Sequence, residues 1–551
     1  MSQSTNPAGQ SRSDSLAGAT APEVQRLRKG AVGLFGVMFM AVATAAPITA
    51  MVGNVPIAIG FGNGAYAPAG YALATIVLTL FAFGYSAMAK HITATGAFYG
   101  YISHGLGRVI GMGAGALTTL AYVVFEAALV GIFAFFANSF VSNHLGIDIP
   151  WLVFALLMLA VNAILTYFDI NLTAKVLGAF LITEIIMLGL MGFTVLFTGG
   201  GPEGWSWGSL NPLNAFQNLN QQVADPSGNG TILATGAAGL GLFFAFWSWV
   251  GFESTAMYGE ETKDPKRIIP QAIMLSVVGI GVFYVIISWL AIVGTGPSRA
   301  VSLAQDPDQA GNIFFGIVAT HLGSWAVTLF EFLLMSGSYA CGMAFHNSAS
   351  RYIYAIGRED LVPGFGRTLG ATHAKHRSPY IAGFVQSSIA TVIVLYFFFT
   401  DRDPYAQLYA LMAIMGTTAI MIVQALAAFS SVSYFHVLKK HPETANWFRT
   451  LVAPAIGGAG MLYVIFLLMQ NASFAAGAAA SDIIFQLSPW IVIVTGLSGI
   501  VFALACRKFA PARYDIIGRI VLDDTHERGA NAEEPDFHVD DPLHGRDPRD
   551  V

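Results

Sequence analysis

The chain has 551 residues, of which 55% are hydrophobic and 11% are charged, and its mean hydropathy is +0.61. Ordinary globular chains carry about 25% charged residues, so a soluble protein of this size would lack the polar side chains to cover its surface. The formal net charge is −5, and no basic patch of the kind that binds nucleic acid is visible. The composition therefore predicts a polytopic membrane protein surrounded by lipid.

Both ends of the chain differ from its apolar middle. Residues 1–29 are polar and rich in serine, and residues 511–551 hold five basic and eleven acidic side chains. Because large apolar residues are few in both, we predict disordered ends at 1–29 and 509–551. The two cysteines, Cys341 and Cys506, occur in or at the end of apolar runs, so we expect no disulfide framework, metal site or cofactor.

Twelve apolar runs have the roughly 20 residues that a spanning helix needs. They begin near residues 31, 67, 109, 150, 174, 232, 270, 321, 379, 405, 451 and 488. With the N terminus inside, the outer segments receive only Arg299 and Arg402, which leaves 25 of the 27 lysines and arginines on the inner side. The excess of inner basic residues predicts a cell-membrane protein with both termini in the cytoplasm.

This pattern divides the chain into six parts. They are a disordered cytoplasmic N terminus (1–29), spans one to five (30–198), an extracellular Gly- and Asn-rich loop (199–231), spans six to ten (232–437), spans eleven and twelve (438–508), and an acidic cytoplasmic tail (509–551).

The first and sixth spans are interrupted at their centres. The first contains Ala45-Ala46-Pro47, and proline both lacks an amide donor and clashes with the preceding helical turn. The sixth contains Gly251 followed by an acidic residue, Glu253. Interruptions at the first and sixth positions predict an all-α, five-plus-five inverted repeat with a polar site where the two breaks meet. The alternative is a pair of ordinary kinks, since Gly and Pro are common in membrane helices.

Five acidic residues lie within or at the margins of apolar spans: Glu126, Asp169, Glu184, Glu253 and Glu331. Because an ionised carboxylate is costly in hydrocarbon, each is expected to be protonated, paired or in contact with a watery cavity. Asp169 is assigned to the cytoplasmic end of span four. Glu331 is the least informative, and for each acid the alternative is a protonated side chain bonded to nearby backbone.

Two of these acids have a more specific prediction. Thr118, Tyr122 and Glu126 fall at i, i+4 and i+8 of the third span and so lie on one helical face, which predicts that all three face one cavity. Glu184 has no basic residue near it in sequence, and we predict that it exchanges a proton as the cavity opens to either side.

Enzyme and pump functions find little support in the sequence. It contains neither a His-Glu-x-x-His metal motif nor a phosphate-binding loop of the Gly-x-x-x-x-Gly-Lys-Ser/Thr type. The histidines, His346 among them, are assigned mostly to span ends and loops. We therefore expect neither a membrane-embedded enzyme nor a primary pump.

Three segments resemble the amino acid–polyamine–organocation (APC) permeases. They are Gly-Phe-Glu at 251–253 with the acidic and basic run 260–270, Gly-Ala-Phe-Tyr-Gly-Tyr at 96–101 in the loop before the third helix, and residues 350–363 in the loop after the eighth. This resemblance covers residues 30 to 510. It implies a leucine-transporter-like fold, alternating access around a site between helices one, three, six and eight, and no enzymatic activity.

The resemblance also implies roles for individual residues. Trp247 falls where arginine/agmatine exchangers of the family stack a tryptophan on the substrate, and Glu253 matches their glutamate. Glu126 falls where they carry an asparagine near the substrate. Aligning residues 173–176 places Glu184 at the fifth-helix lysine, which replaces a sodium ion in some proton-driven members.

Two positions depart from the family pattern. The first-helix break is usually Gly-Ser/Ala-Gly-Ile, whose free amides hold the substrate carboxylate, whereas Pro47 has no amide to offer. Glu184 replaces the lysine, which leaves a proton or a sodium ion as the coupling ion. Actinobacterial-type members share the Ala-Ala-Pro break, which implies a bacterial source.

The sequence therefore predicts a secondary transporter that imports amino acids or related amines by proton symport. Its predicted substrate-binding residues are Thr44, Ala45, Ala46, Thr118, Tyr122, Glu126, Trp247, Gly251, Phe252 and Glu253, and its predicted proton-coupling residues are Glu184 and Glu253. The alternatives are a polyamine or cationic amino-acid exchanger, and a non-transporting nutrient sensor of the same fold.

Overall fold

The computed structural model describes residue 30 and residues 32–93, 95–168, 170–225, 230–306, 309–470 and 482–518. Helices dominate this part of the chain because each apolar segment satisfies its own backbone hydrogen bonds, as a lipid environment demands. The predicted disordered N terminus, Asp169 and the tail beyond residue 518 lie outside the described residues.

The described part of the first half of the chain contains eight α-helices. They are α1 (Leu34–Ala45), α2 (Pro47–Thr49), α3 (Val55–Ala58), α4 (Ala67–Ala89), α5 (Ala97–Gly105), α6 (Arg108–Leu145), α7 (Trp151–Tyr167) and α8 (Ile170–Phe197). Short π-helical turns, Ala50–Asn54 and Ile59–Asn63, follow α2 and α3.

The second half continues with α9 (Ala238–Trp247), a 3₁₀ segment (Phe252–Glu261), α10 (Pro265–Thr295), α11 (Pro297–Ala304), α12 (Asn312–Leu322), α13 (Ser324–Arg358), α14 (Tyr380–Phe399), α15 (Ala410–Val432), α16 (Ala453–Gln470), α17 (Ile483–Phe509) and α18 (Pro511–Ile516). The π-helical turns Pro404–Tyr409, Ser433–Val437 and Trp447–Val452 flank α15 and precede α16.

Among the described residues, eight helical stretches are long and apolar enough to cross a membrane. Three further apolar stretches are shorter: α7 (Trp151–Tyr167), the Leu181–Phe197 part of α8, and α12 (Asn312–Leu322). The sixth predicted span is divided at its break. The all-α polytopic class and the broken first and sixth helices are confirmed, while the count of twelve spans stays a prediction.

Helix α6 lies at the centre of the molecule. It packs against α5, α7, α13, α15 and α17, and 78% of its most apolar window is buried, against 22% for α17. The outer face of α17 presents Trp490, Val494 and Val501, which suits contact with lipid tails. The peripheral helices therefore shield a central group that carries the polar side chains.

The predicted loop 199–231 is partly ordered into a hairpin. Strand β1 (Asn220–Ala224) pairs antiparallel with β2 (Thr231–Thr235), with Gln222 opposite Leu233. The amide of Leu219 donates to the carbonyl of Gly62, at 3.2 Å, just beyond the first span. The ordered segment therefore extends four residues past its predicted end and is hydrogen-bonded to the chain just after the first span.

Three sequence boundaries were wrong. Residues 97–101 belong to α5 and residues 350–358 to the last turns of α13, so neither is a loop. The tail does not begin at residue 509, because α18 is helical and Ile517 is fully buried. The amide of Gly518 donates to Glu359 Oε1 at 2.8 Å, which fastens this part of the tail to the end of α13.

Candidate functional site: two broken helices around a small cavity

The first span breaks at Ala46, which joins α1 to α2 in the left-handed conformation (φ 44°, ψ 76°). Pro47 follows it, and a residue before proline is disfavoured in the right-handed helical region. Side chains from other helices donate hydrogen bonds to the backbone carbonyl groups around the break. The hydroxyl of Tyr284 donates to Ala45 O at 2.9 Å, and the thiol of Cys341 donates to Thr44 O at 3.0 Å.

The sixth span breaks at Gly251, which has a φ of 125°. A Cβ at this position would stand 2.6 Å from the Cβ of Thr44, so glycine meets both the backbone conformation and the close approach. The two breaks are therefore in direct contact, as the sequence predicted.

Glu253 closes the sixth-span break rather than facing open space. Its carboxylate accepts from the Gly251 amide and from the Tyr122 hydroxyl, both at 3.0 Å, and its backbone carbonyl accepts from Tyr85 at 3.0 Å. The carboxyl group is buried, and these contacts hold the break in shape.

A small cavity lies beside the two breaks, with a free volume of about 20 Å³, which is room for roughly one water molecule. The first span lines it with Thr44, Ala45, Ala46, Thr49, Ala50 and Asn54, and the sixth span lines it with Trp247, Ser248 and Val250. Leu129 of α6, Cys341 and Phe345 of α13, and Tyr409 complete the lining. A substrate must therefore displace side chains to enter.

A chain of hydrogen bonds ties the cavity walls together. Trp247 Nε1 donates to the Tyr409 hydroxyl, which donates to Asn54 Oδ1, and Asn54 Nδ2 donates to Ser248 Oγ, each at 3.0 Å. On the apolar side, the ring of Phe345 lies parallel to Trp247, with 6.1 Å between ring centroids. These bonds therefore join Trp247 to Asn54 of the first span and to Tyr409, which directly precedes α15.

Thr49 carries a hydroxyl group in the cavity lining that could bond to a ligand. Its hydroxyl is buried and has no hydrogen-bond partner among the described residues. No charged side chain lines the cavity among the described residues. The site therefore offers neutral polar groups and aromatic rings.

Six predicted binding residues do not line this cavity. Gly251 and Phe252 pack against Thr44 and Phe81 respectively, and the Thr118 hydroxyl donates to Ala114 O. Tyr122 and Glu253 bond to each other, as described above. Of the predicted set, Thr44, Ala45, Ala46 and Trp247 line the cavity.

Glu126 lies outside the cavity as well. Its carboxyl group accepts hydrogen bonds from Asn162 Nδ2 at 3.1 Å and Gln386 Nε2 at 2.7 Å, and it contacts His346 Nδ1 at 2.9 Å. The predicted common face of Thr118, Tyr122 and Glu126 therefore meets three different sets of partners. His346 is fully buried within α13 and not at a span end.

Glu184 stands at the other side of the first-span break. Its Oε2 accepts from the amide of Ile48, one residue after Pro47, at 3.3 Å. The carboxyl group is buried against Gly337 of α13, where an added Cβ would come within 2.6 Å of Oε1. The structure thus places Glu184 between α8, α13 and the start of α2. Glu331, by contrast, is partly exposed and pairs with His144 at 2.8 Å.

Several lining residues escaped the sequence analysis. Asn54 and Thr49 carry polar groups in the first span, and this was a readable signal. Tyr409, Phe345 and Leu129 lie in ordinary apolar runs, where nothing local distinguishes a lining residue from a packing residue. Among the described residues, no group of three His, Cys, Asp or Glu side chains is placed to hold a metal ion.

Two buried ion pairs join the end of the sixth span to α13. Arg351 contacts Glu261 at 2.9 Å, and Arg358 contacts Glu260 at 2.5 Å. Next to them, Val32 forms a backbone bridge with Thr262. These contacts lie at the end of the molecule that the sequence predicts to be cytoplasmic.

Comparison with known proteins decides the family. The model of the amino acid permease family matches residues 32–498. The chain belongs to this family. The resemblance to APC permeases found in the sequence is therefore confirmed, and the chain is a multi-pass membrane protein.

Relatives of this amino acid permease include transporters with different substrates. The branched-chain amino acid permease BcaP of Bacillus subtilis is 22% identical over 73% of this chain and 79% of the relative. The low-affinity putrescine importer PlaP of Escherichia coli is 22% identical over 78% of this chain and 87% of the relative. The serine/threonine exchanger SteT of B. subtilis is 22% identical over 55% of this chain and 62% of the relative.

Among solved structures, Mhp1, a nucleobase-cation-symport-1 family transporter in a closed conformation with bromovinylhydantoin bound, aligns with a TM-score of 0.47. The sequence identity is 13%, and the alignment covers 90% of this chain and 99% of Mhp1.

Proposed function

We propose that this permease is a secondary active transporter that imports small amino acids or related amines across the cell membrane by proton symport, with both termini in the cytoplasm. The observation that carries the proposal is the contact between the two helix breaks at Ala46 and Gly251 beside a small cavity. Broken helices that meet in this way supply backbone groups for a polar ligand inside a membrane. Alternating access then opens the cavity to one side at a time.

The lining favours a substrate without excess charge. Its described side chains are neutral and include the Trp247 and Phe345 rings and the Thr49 hydroxyl, which has no hydrogen-bond partner among the described residues. A zwitterionic amino acid carries its own compensating charges, whereas a polyamine would enter with two or more uncompensated positive charges. The first choice is therefore a neutral amino acid.

Glu184 is the proposed proton carrier. Its buried carboxyl group contacts the Ile48 amide at the first-span break, so gain or loss of a proton alters a hydrogen bond at the point where helix one must move. Proton binding is thereby linked to the conformation of α2.

The first test is a thermal-shift screen of the purified protein against neutral amino acids, cationic amino acids, diamines and polyamines. A ligand at 100 times its Kd adds about 2.7 kcal/mol of stability. We expect stabilisation by neutral L-amino acids. If nothing in the panel stabilises the protein, the proposed substrate class is wrong.

The position of the site is tested by thiol labelling. Cys341 lines the cavity, and Cys506 lies at the far end of α17. In the Cys506→Ser background, we expect the stabilising ligand to slow labelling of Cys341 by a small maleimide. The Cys341→Ser background, in which Cys506 reports instead, is the matched control and should show no protection. Equal protection of both thiols would contradict the assigned cavity.

The role of Glu184 is tested by Glu184→Gln in proteoliposomes. We expect proton-driven uptake to fall at least tenfold, while exchange of internal for external substrate is retained, because only the proton step is removed. Glu331→Gln, which changes a partly exposed carboxyl group paired with His144, is the control and should behave as the wild type. Unchanged pH dependence of uptake in Glu184→Gln would rule out this assignment.

A polyamine or cationic amino-acid transporter is the second candidate, favoured by the similarity to the putrescine importer PlaP. It predicts stabilisation by diamines alone in the same screen. The nutrient-sensor alternative is distinguished by flux, because a transporter accumulates labelled ligand in vesicles against its gradient and a sensor only binds it.

A further inference from the structure

Four polar side chains form a buried cluster behind the aromatic wall of the cavity. They are Glu126 of α6, Asn162 of α7, His346 of α13 and Gln386 of α14, and each has no solvent-exposed surface. The four helices α6, α7, α13 and α14 thus each contribute one polar side chain to a single cluster. This cluster is separate from Glu184, which lies on α8 at the first-span break.

The carboxyl group of Glu126 has three hydrogen-bonding neighbours. Asn162 Nδ2 donates to Oε1 at 3.1 Å, Gln386 Nε2 donates to Oε2 at 2.7 Å, and His346 Nδ1 lies 2.9 Å from both oxygens. In one ring tautomer Nδ1–H donates to a carboxylate, and in the other the unprotonated Nδ1 accepts from a protonated carboxyl group. The contact between Glu126 and His346 is therefore kept whether the pair holds one proton or two.

His346 is the titratable partner of Glu126, and a second proton on the pair removes a buried net charge. Asn162 and Gln386 bind the carboxyl group, and Thr166 of α7 and Gly383 of α14 lie beside the imidazole; none of these four is titratable. On the same helix as His346, Arg351 lies five residues further on and is paired with Glu261. From α8, which also packs against α13, Glu184 lies beside Gly337, nine residues before His346.

Further titratable groups among the described residues lie beyond Thr166. Tyr167 packs there against His373, His376 and Tyr380. These rings surround Tyr167 and not His346, so the titratable members of the cluster, within the described part of the chain, are Glu126 and His346.

The second ring nitrogen of His346 has a vacant position for a proton. Nε2 is buried, has no hydrogen-bond partner among the described residues, and lies near Gly383, 3.5 Å from the place of an added Cβ. A proton from water that binds the Nε2 lone pair converts the negative cluster into a neutral ion pair and leaves the Nδ1 contact with Glu126 intact. Loss of that proton to water reverses the step.

The cluster is connected to the cavity through adjacent residues. Phe345 precedes His346 and lines the cavity, and Phe125 precedes Glu126. The Phe125 ring lies 4.6 Å from Trp247 and 4.9 Å from Phe345, measured between centroids. A substrate that displaces Trp247 or Phe345 therefore shifts the two helical turns that hold Glu126 and His346.

We propose that Glu126 and His346 form a second proton-binding site, in addition to Glu184, and that its occupancy is coupled to substrate binding in the cavity. The coupling rests on the proposed transport function, whereas binding of the proton itself does not. By linkage, a ligand that favours the protonated cluster must raise the proton occupancy of the cluster.

The proton site is tested on ligand-free protein by infrared difference spectroscopy between pH 8 and pH 5. His346→Asn keeps an amide donor for Glu126 and cannot bind a proton, so we expect the imidazolium signal to lose one histidine relative to the wild type. His144→Asn, from the partly exposed pair with Glu331, removes an ordinary histidine and locates the reference signal. If His346→Asn leaves the signal unchanged, the site is ruled out.

Glu126→Gln gives a second test of the pairing. It removes the acid of the pair but preserves its volume, so we expect the pH 8 to pH 5 difference spectrum to lose one carboxyl or imidazolium contribution relative to the wild type. Because it keeps His346 in place, this variant also serves if His346→Asn fails to fold. A wild-type difference spectrum in Glu126→Gln would overturn the pairing.

The coupling is tested by the pH dependence of binding of the ligand identified in the thermal-shift screen. We expect the slope of log Kd against pH to decrease by up to one proton in His346→Asn and to be unchanged in His144→Asn. An unchanged slope in His346→Asn with the infrared signal lost would leave a proton site that is not coupled, which overturns this inference. Absence of any ligand contradicts the proposed function instead.

Discussion

At the scale of the residue, single side chains replace the backbone hydrogen bonds that the first-span break removes. Tyr284 donates to Ala45 O, Cys341 to Thr44 O, and Glu184 accepts from Ile48 N. These partners come from three different helices, α10, α13 and α8. The break is therefore stabilised by tertiary contacts and not by its local sequence alone.

Tyr284→Phe tests this stabilisation. It leaves the Ala45 carbonyl buried without its donor, which costs about 1–3 kcal/mol. We expect a lower unfolding midpoint in detergent. Tyr463→Phe, at a half-exposed position on α16, is the control, and an equal effect of the two substitutions would contradict the role of the hydroxyl.

A histidine in the connection after α4 makes a prediction about pH. Burial, reinforced by the charge of His441 stacked on it at 3.9 Å, lowers the pKa of His91 to about 4. Lys90 and Lys266 lower it further and Glu443 opposes them. In the unfolded chain its pKa is about 6.5, so the unfolded state binds more protons between these two values.

The folded state is therefore expected to be fully stable above about pH 6.5 and to lose stability as pH falls towards 4. His91→Asn should flatten this part of the profile of unfolding midpoint against pH. His321→Asn, at an exposed helix end, should keep the wild-type profile. A wild-type profile in His91→Asn would show that other groups set the acid sensitivity.

At the scale of the element, the crossing of the two broken helices depends on the absence of a side chain at Gly251. Alanine there would combine a φ of 125° with a Cβ 2.6 Å from Thr44, and backbone strain of this kind costs about 1–3 kcal/mol before the clash is counted. We expect Gly251→Ala to lower the unfolding midpoint and abolish ligand protection of Cys341.

Gly279→Ala is the matched control for this prediction. Gly279 lies within α10, and nothing stands within 4 Å of its added Cβ. Alanine is preferred over glycine inside a helix by about 1 kcal/mol, so this variant should be neutral or slightly more stable. A similar outcome for both glycines would contradict the geometry of the break.

At the scale of the whole molecule, the two buried ion pairs join the sixth span to α13 on the predicted cytoplasmic side. Glu261→Gln leaves Arg351 without its charged partner, and breaking a buried pair in this way costs about 3–5 kcal/mol. Because the pair exists only while helix six meets α13, we expect the substitution to favour opening on the predicted cytoplasmic side.

The measurement is the rate of Cys341 labelling in inside-out vesicles of the Cys506→Ser background. Glu261→Gln should increase it several-fold, and Glu443→Gln, an exposed carboxyl group in the 438–446 connection, should not. If Glu261→Gln slows the labelling, the ion pairs do not close this side.

The sequence by itself determined the membrane class, the family and the positions of both breaks. Each of these depends on local chemistry: apolar runs require helices in lipid, Pro47 cannot donate a hydrogen bond, and Gly251 alone tolerates its backbone conformation. Thr44, Ala45, Ala46 and Trp247, which lie at or near the breaks, line the cavity, and their binding of substrate stays a prediction.

Only the tertiary structure decided which polar groups meet. Thr118, Tyr122 and Glu126 do share one helical face, but eight residues of helix span about 12 Å, so each meets different neighbours. Glu126 is bound by residues from α7, α13 and α14, 36 to 260 positions away in the chain. A carboxyl group in an apolar run predicts that polar partners are present. Which residues these partners are depends on how the helices pack.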